Sequence, residues 1–202
     1  SGGKAGAVDG VYNYAQTASM HASTPLPMNG NSDTIQSHGC GVCCTAMVLS
    51  TYYNREILPE DLAKYVTDNG WRDGTGLAND KIGKIRNAYT ADHPETLFGN
   101  SVPSVQIYNK ADFSQEQLIQ ALQAGKMIVM RQGNPSGDGG TFTSREHFIQ
   151  VYGYENGKFL ICDPYERPGG HYPPLGSQVI HDSNNISKVS TNGAVLYDKL
   201  EQ

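Results

Sequence analysis

The chain has 202 residues and a formal net charge of −5, with 15 Lys and Arg against 20 Asp and Glu. This acidic balance excludes a nucleic-acid groove, which needs a basic stripe, and the sequence has no run of about 18 apolar residues that would span a membrane. The length, with 38% hydrophobic residues and 23 glycines, predicts a single loop-rich globular domain over residues 1–202.

The opening Ser1-Gly2-Gly3 is typical of residues left by recombinant expression. Removal of a native leader before these residues therefore stays open. The low charged fraction of 17%, together with many Gly and Tyr residues, is typical of extracellular bacterial domains. We therefore expect an extracellular or cell-wall location, with a cytoplasmic one left open.

The first half of the chain predicts helices after an irregular opening. Residues 1–38 are punctuated by Gly, Pro, Asn and Ser and hold no apolar period. Helical spacing then recurs in four segments, one with Pro59 in its first turn and one with a capping box that begins at Ser114. The predicted helices span 41–53, 59–66 with Gly70 beyond, 77–89, and 115 to the stop at Gly125.

The second half predicts a sheet. Short apolar runs at 127–130, 148–152 and 159–162 are typical of buried strands, and Asn156-Gly157 between the last two indicates a tight hairpin turn. Two further segments, 178–180 and 194–197, extend the predicted sheet. Helices followed by antiparallel strands predict an α+β fold.

Cys40 lies where a polar loop turns into the first apolar helix. At a helix start the unpaired backbone N–H groups and the helix dipole favour a thiolate, which is the nucleophilic form of cysteine. Gly39 and Gly41 flank it, and we expect them to leave the backbone bare for a substrate. Cys43 and Cys44 are too close to Cys40 for a disulfide framework and are expected to be core thiols.

A cysteine nucleophile needs a base, and His147 stands out because it opens a predicted hairpin. Alternation predicts that it shares a strand face with Ile149 and Val151. The return strand ends at Asp163, which is expected beside His147 and able to orient its imidazole. This order of Cys, His and Asp is that of papain-like thiol hydrolases. The other candidate bases are His21, His38, His93, His171 and His181.

Several segments together resemble one family. Gly39-Cys40-Gly41 with 45–49 is similar to a nucleophile helix, 59–65 and 68–72 to the following helix and loop, and 141–143, 147–149, 156–159 and Asp163-Pro164 to a base hairpin. In this order and spacing the chain resembles the C39-like peptidase family of papain-like cysteine peptidases.

The resemblance implies a papain-like fold, in which an N-terminal nucleophile helix packs on a C-terminal antiparallel sheet. It also implies a monomeric thiol hydrolase of peptide or peptidoglycan amide bonds that uses Cys40, His147 and Asp163, without cofactor or metal. Residues 14–17 resemble the family's oxyanion segment, which assigns Gln16 to the oxyanion hole. Gln36, four residues before Cys40, stays open as an alternative.

Two positions depart from the family pattern. Val42-Cys43 stands where Pro-Thr is common, and Glu146 stands where Gly is common. A carboxylate at Glu146 is expected to raise the pKa of the neighbouring histidine or to narrow the cleft.

Three other functions compete with this interpretation. Cys40 and Cys43 form a Cys-x-x-Cys at a helix start, typical of a thiol-disulfide oxidoreductase, although polar loop rather than a buried strand precedes it. A zinc site would need a second cysteine pair. A non-catalytic peptide- or glycan-binding domain is the third. The polar loop at 134–140, close to His147 in sequence, is interpreted either as a specificity lid or as only a solvated connection.

Overall fold

The computed structural model describes residues 10–74, 76–94, 105–108, 114–132, 147–165, 179–182 and 191–197. The described helices are α1 (Ser19–Ala22), α2 (Ile35–His38), α3 (Cys40–Tyr53), α4 (Pro59–Asn69), α5 (Asn79–Asp92) and α6 (Gln115–Gln123). The described strands are β1 (Val105–Tyr108), β2 (Met127–Gln132), β3 (His147–Glu155), β4 (Lys158–Cys162), β5 (Val179–Asp182) and β6 (Thr191–Tyr197). None of the described helices is both long and apolar enough to cross a membrane.

The described strands form one antiparallel sheet in the order β1-β6-β2-β3-β4-β5. A two-residue turn joins β3 to β4, and both of its residues have positive φ, 52° at Asn156 and 73° at Gly157. Such a turn matches the twist of a hairpin, and the prediction made from Asn156-Gly157 is confirmed. Glu155 lies opposite Lys158 beside the turn, and a β-bulge between Val151 and Gly153 then shifts the register by one residue, so that Gln150 lies opposite Cys162.

The central strands send alternate side chains into two separate cores. On one face the sheet contacts the helices that precede it, above all α3, and on the other it contacts α6. The first face buries Met127, Val129, Phe148, Tyr152, Leu160 and Cys162, and the second buries Ile128, Met130, Ile149, Val151, Phe159 and Ile161. The α+β fold with N-terminal helices on a C-terminal antiparallel sheet is therefore confirmed.

Helix α3 is buried on all sides over residues 41–50, as a helix surrounded by other elements must be. Cys43 and Cys44 have no exposed surface, which confirms that they are core thiols. Two buried hydroxyls of the helix are satisfied, since Thr45 Oγ1 donates to the Gly41 carbonyl at 2.8 Å and Ser50 Oγ to the Ile57 carbonyl at 3.0 Å. The start of α3 is thus fixed by the core.

The N-terminal region and several boundaries differ from the prediction. Residues 10–38 are not wholly irregular, because they contain α1 and α2, each four residues long. A helix of one turn cannot show a period, and such short helices depend on tertiary contacts. Helices α4 and α5 run three residues further than predicted, to Asn69 and Asp92, and β1 was not predicted at all.

The two glycines that flank Cys40 serve packing rather than substrate access. A Cβ at Gly39 would lie 2.5 Å from the backbone oxygen of Ile35. A Cβ at Gly41 would lie 3.0–3.2 Å from three core side chains, those of Ile82, Leu77 and Phe148. The expectation that both leave a bare backbone for a substrate is therefore wrong, because α2 and the core occupy that space.

Replacing Gly39 should destabilise the fold, because its missing Cβ leaves room for the backbone of α2. We expect Gly39→Ala to lower the free energy of unfolding by about 1–3 kcal/mol, measured by urea denaturation. Gly76→Ala is the matched control, since a Cβ there meets nothing within 4 Å and should change stability by about 0.5 kcal/mol or less. Equal stability of the two variants would contradict this account of Gly39.

Candidate active site

Cys40 is the first residue of α3 and is half-buried. Its sulfur is hydrogen-bonded to the imidazole of His147 and to the backbone amides of Phe148 and Gly41. Burial raises the pKa of Cys40, but the hydrogen bond and charge of His147 and the two amides outweigh it and hold the pKa below the ordinary value of 9.0. The site thus favours a thiolate at the start of α3, where the helix dipole adds to the same effect.

His147 is the first residue of β3, and only 4% of its surface is exposed. Its Nε2 lies 2.6 Å from Asp163 Oδ1, which leaves Nδ1 for the thiol. Burial lowers the pKa of His147, but the hydrogen bonds and charges of Asp163 and Cys40 raise it to about 10. Both shifts favour a thiolate–imidazolium pair.

The His147 ring does not follow the strand face predicted for it. Ile149 and Val151 contact the core beneath α6, whereas the His147 ring contacts Cys40 at the start of α3. β3 begins at His147, so its side chain is free of the alternation that governs the strand interior. The predicted shared face is therefore wrong, although the predicted contact between His147 and Asp163 is observed.

Asp163 directly follows β4 and receives two hydrogen bonds at Oδ1, one from His147 and one from the backbone N–H of Tyr165 at 2.9 Å. The Tyr165 ring stands edge-on to the His147 ring, with centroids 6.4 Å apart and planes at 85°, and is 38% exposed. Sequence reasoning missed Tyr165. Its only signal is its position two residues after Asp163, in the turn that ends the hairpin.

Gln16 joins the two sides of the site. Its backbone N–H donates to the Pro164 carbonyl at 2.8 Å, and its Nε2 donates to the carbonyl of Gln36 at 2.8 Å and, at 3.3 Å, to that of Ile35. Gln16 is buried, and its Oε1 has no hydrogen-bond partner among the residues that the structure describes. The side chain of Gln36 is exposed, so Gln36 contributes a backbone carbonyl where Gln16 contributes a side-chain amide.

Contacts along α3 hold the segment that carries Gln16. Tyr12 donates its backbone N–H to Thr51 Oγ1 at 3.0 Å, and the Tyr14 hydroxyl is 2.9 Å from Ser50 Oγ. Beyond Gln16, the His21 imidazole is hydrogen-bonded to the Glu60 carboxylate at the start of α4. These contacts explain how a segment without a sequence pattern occupies a defined position beside α3.

The remaining thiols and imidazoles are placed for structural roles. Burial raises the pKa of Cys43, Cys44 and Cys162 above the ordinary thiol value. His21 and His38 contact carboxylates, and His93 stacks on a tyrosine ring. Among the described residues, no group of three or more His, Cys, Asp or Glu side chains is placed to hold a metal ion.

Some of the predicted features lie outside the described residues. These are the leading residues 1–3, the polar loop at 134–140, residues 141–143, Glu146 and His171.

With the geometry established, comparisons with solved structures define the class of fold. A protein from Bacillus anthracis described as a C39-like peptidase is similar, with a TM-score of 0.52 and 16% identity over 99% of this chain and 100% of the other. A double glycine motif protease from an AMS/PCAT transporter, in complex with the leader peptide, has a TM-score of 0.47 and 14% identity over 93% of this chain and 99% of that one. The peptidase domain of Streptococcus ComA has a TM-score of 0.46 and 15% identity, over 79% and 91% of the two chains.

The sequence itself gives the family. The sequence model of the Peptidase_C39 like family matches residues 8–185. The chain therefore belongs to this family of cysteine peptidases. No curated protein matches the chain.

The pKa of Cys40 is testable through the pH dependence of its alkylation. Only the thiolate reacts, so the rate with iodoacetamide should rise through a pKa below 9.0 and level off above it. His147→Ala removes the hydrogen bond and positive charge that lower this pKa and leaves burial, which raises it, so the rise should move to higher pH. Rates are measured by peptide mass spectrometry.

The buried thiols of the same protein provide the control. Cys43, Cys44 and Cys162 should stay unlabelled in the folded protein and react after denaturation in urea. A wild-type rise centred at or above pH 9 would show that His147 does not lower the Cys40 pKa.

Proposed function

We propose that the protein is a thiol hydrolase of amide bonds in peptides, with Cys40 as nucleophile, His147 as base and then acid, and Asp163 as the residue that orients His147. The observation that carries this proposal is the connected chain of contacts from the Cys40 sulfur through the His147 ring to Asp163. Family membership supports the reaction class.

Each residue has a step in this mechanism. The Cys40 thiolate attacks the carbonyl carbon of the scissile amide and forms a tetrahedral oxyanion. The His147 imidazolium then donates its Nδ1 proton to the leaving nitrogen, the C–N bond breaks, and an acyl-thioester remains on Cys40. Water then attacks the thioester while neutral His147 takes a proton from it, which releases the acid and restores the Cys40 thiolate beside the His147 imidazolium. Asp163 keeps Nε2 bound throughout, so Nδ1 faces the sulfur.

Gln16 is proposed as an oxyanion donor together with the backbone N–H of Cys40. Its Nε2 makes one short hydrogen bond and one longer one, to Ile35 O at 3.3 Å. The longer bond is the weaker, and a substrate oxyanion would replace it without disturbing the bond to Gln36 O. Because Gln16 is also tied to the turn after Asp163, the donor and the base are held in one arrangement.

The same residues weigh against the rival functions. The Cys-x-x-Cys pair alone also suits an oxidoreductase, but that function needs no Asp163 carboxylate to hold an imidazole beside Cys40. A binding domain gains nothing from a buried imidazole held between a carboxylate and a thiol. Free peptides and peptidoglycan stems both contain an amide bond of the required kind. Digestion of each substrate in turn shows which of the two the protein hydrolyses. The extracellular or cell-wall location stays a prediction.

Substitution of the three residues tests the reaction. Cys40→Ala and His147→Ala should lower peptide hydrolysis on the order of 10⁴-fold or more, measured by mass spectrometry of peptide and peptidoglycan digests. Asp163→Asn keeps an oxygen that accepts a hydrogen bond from His147 Nε2 but removes the negative charge. It should therefore lower activity less than the other two substitutions and shift the increase of activity with pH to higher pH. Cys43→Ala should retain activity. Loss of activity in a folded Cys43→Ala protein would favour the oxidoreductase.

Gln16 is tested against Gln36. Loss of one oxyanion donor costs about 100-fold or more in turnover with a smaller effect on substrate binding, because the donor acts on the transition state. Gln16→Ala should therefore lower kcat, while Cys40 still reacts with iodoacetamide, which forms no oxyanion. Gln36→Ala should keep full turnover, since its side chain is exposed. The reverse result would place the donor on Gln36.

A further inference from the structure

One motif remains without a role in hydrolysis, the Cys-x-x-Cys formed by Cys40 and Cys43. Both thiols are free, and they lie in the first turn of α3. The backbone N–H of Cys43 donates to the Gly39 carbonyl at 2.9 Å. Cys43 therefore lies one helical turn beyond Gly39, the residue directly before Cys40. The two thiols also influence each other electrostatically.

Helix geometry distinguishes Cys43 from the neighbouring thiol of Cys44. Residues three apart in a helix have Cα atoms about 5 Å apart, and residues four apart about 6 Å. A disulfide also needs Cβ atoms about 3.8 Å apart, which a regular helix does not provide without adjustment. Cys40 is the first residue of α3, so only its own backbone must move to close on Cys43. Cys44 is one residue further along the helix axis and lies outside the first turn of α3.

The two thiols differ in reactivity, and Cys40 is the one expected to be oxidised first. Cys40 is half-buried and is the thiol held beside an imidazolium, whereas Cys43 has no exposed surface. An oxidant from solution therefore reaches Cys40 first. Thiolate character and exposure decide which cysteine is oxidised.

We propose that Cys40 and Cys43 are a reversible oxidation site, in which a peroxide converts Cys40 to a sulfenic acid and Cys43 then closes a disulfide with it. In the first step the Cys40 thiolate attacks one peroxide oxygen, the O–O bond breaks, and the hydroxide formed takes a proton from the medium. In the second step the Cys43 sulfur displaces the sulfenic oxygen, which leaves as water with the Cys43 proton. The peroxide is reduced and two thiols are oxidised. That this switches off hydrolysis rests on the proposed function.

The disulfide would also protect Cys40. Oxidation of a sulfenic acid to a sulfinic acid is irreversible for most proteins, whereas a disulfide is reduced by thiols. The buried position of Cys43 places a resolving sulfur within the first helical turn and away from solvent. Cys44 and Cys162 are equally buried but lie outside that turn.

The test maps disulfides in the intact protein. Wild-type protein is treated with hydrogen peroxide, free thiols are blocked, and the digest is analysed by mass spectrometry. A Cys40–Cys43 bridge that dithiothreitol removes is expected, and Cys44→Ala should give the same bridge. Cys43→Ser should instead accumulate Cys40 sulfenic acid, trapped by dimedone, and then the irreversible sulfinic form. Absence of the bridge in wild-type protein, or a bridge from Cys40 to Cys44, would overturn the proposal.

An activity assay on the same samples separates this inference from the proposed function. If reduced protein hydrolyses peptides, peroxide should abolish most of that activity and dithiothreitol should restore it in wild type and Cys44→Ala, but not in Cys43→Ser. If hydrolysis is intact and no bridge forms, only the oxidation site is wrong. If the bridge forms and reduced protein never hydrolyses peptides, the proposed function fails and the oxidation site stands.

Discussion

The hydrogen bond between His147 Nε2 and Asp163 Oδ1, 2.6 Å long, is the interaction on which the site depends. A charged imidazole is costly to bury without a charged or hydrogen-bonded partner, and His147 is almost fully buried. Asp163 provides that partner and leaves the other ring nitrogen for Cys40. The bond exists because the Asn156-Gly157 turn and the β-bulge between Val151 and Gly153 together set the register of β3 and β4, so that the end of one strand returns to the start of the other.

The second constraint is the position of the nucleophile relative to that hairpin. Helix α3 is enclosed over most of its length, and its first turn meets the backbone of β3 at Phe148. Gly39 and Gly41 permit this approach, because a side chain at either position would meet Ile35 or the core. The backbone N–H of Gln16 donates to the turn after Asp163, and its side-chain amide donates to a carbonyl of α2, just before Cys40. Three separate parts of the chain are held together by backbone contacts as much as by side chains.

Much of this site could be predicted from sequence, because its central residues lie at boundaries with local signals. Cys40 begins an apolar helix, His147 begins a strand, and Asp163 ends a hairpin whose turn is explicit in Asn156-Gly157. Gln16 has no such signal, since its position depends on contacts with residues far along the chain, and only resemblance indicated it. The orientation of the His147 ring, the packing role of the glycines and the short α1 and α2 helices likewise depend on tertiary contacts that no local pattern records.

The three thiols at the start of α3 show how position, rather than residue type, decides cysteine chemistry. The imidazolium of His147 and two backbone amides lower the pKa of Cys40. Burial and neighbouring negative charges raise the pKa of Cys43 and Cys44. The described first turn of α3 carries no acidic residue, so nothing there competes with a thiolate for the positive end of the helix dipole. The features that favour a thiolate at Cys40 also make it the thiol most open to oxidation. A second sulfur one turn away therefore adds a chemical consequence that the hydrolytic mechanism alone does not need.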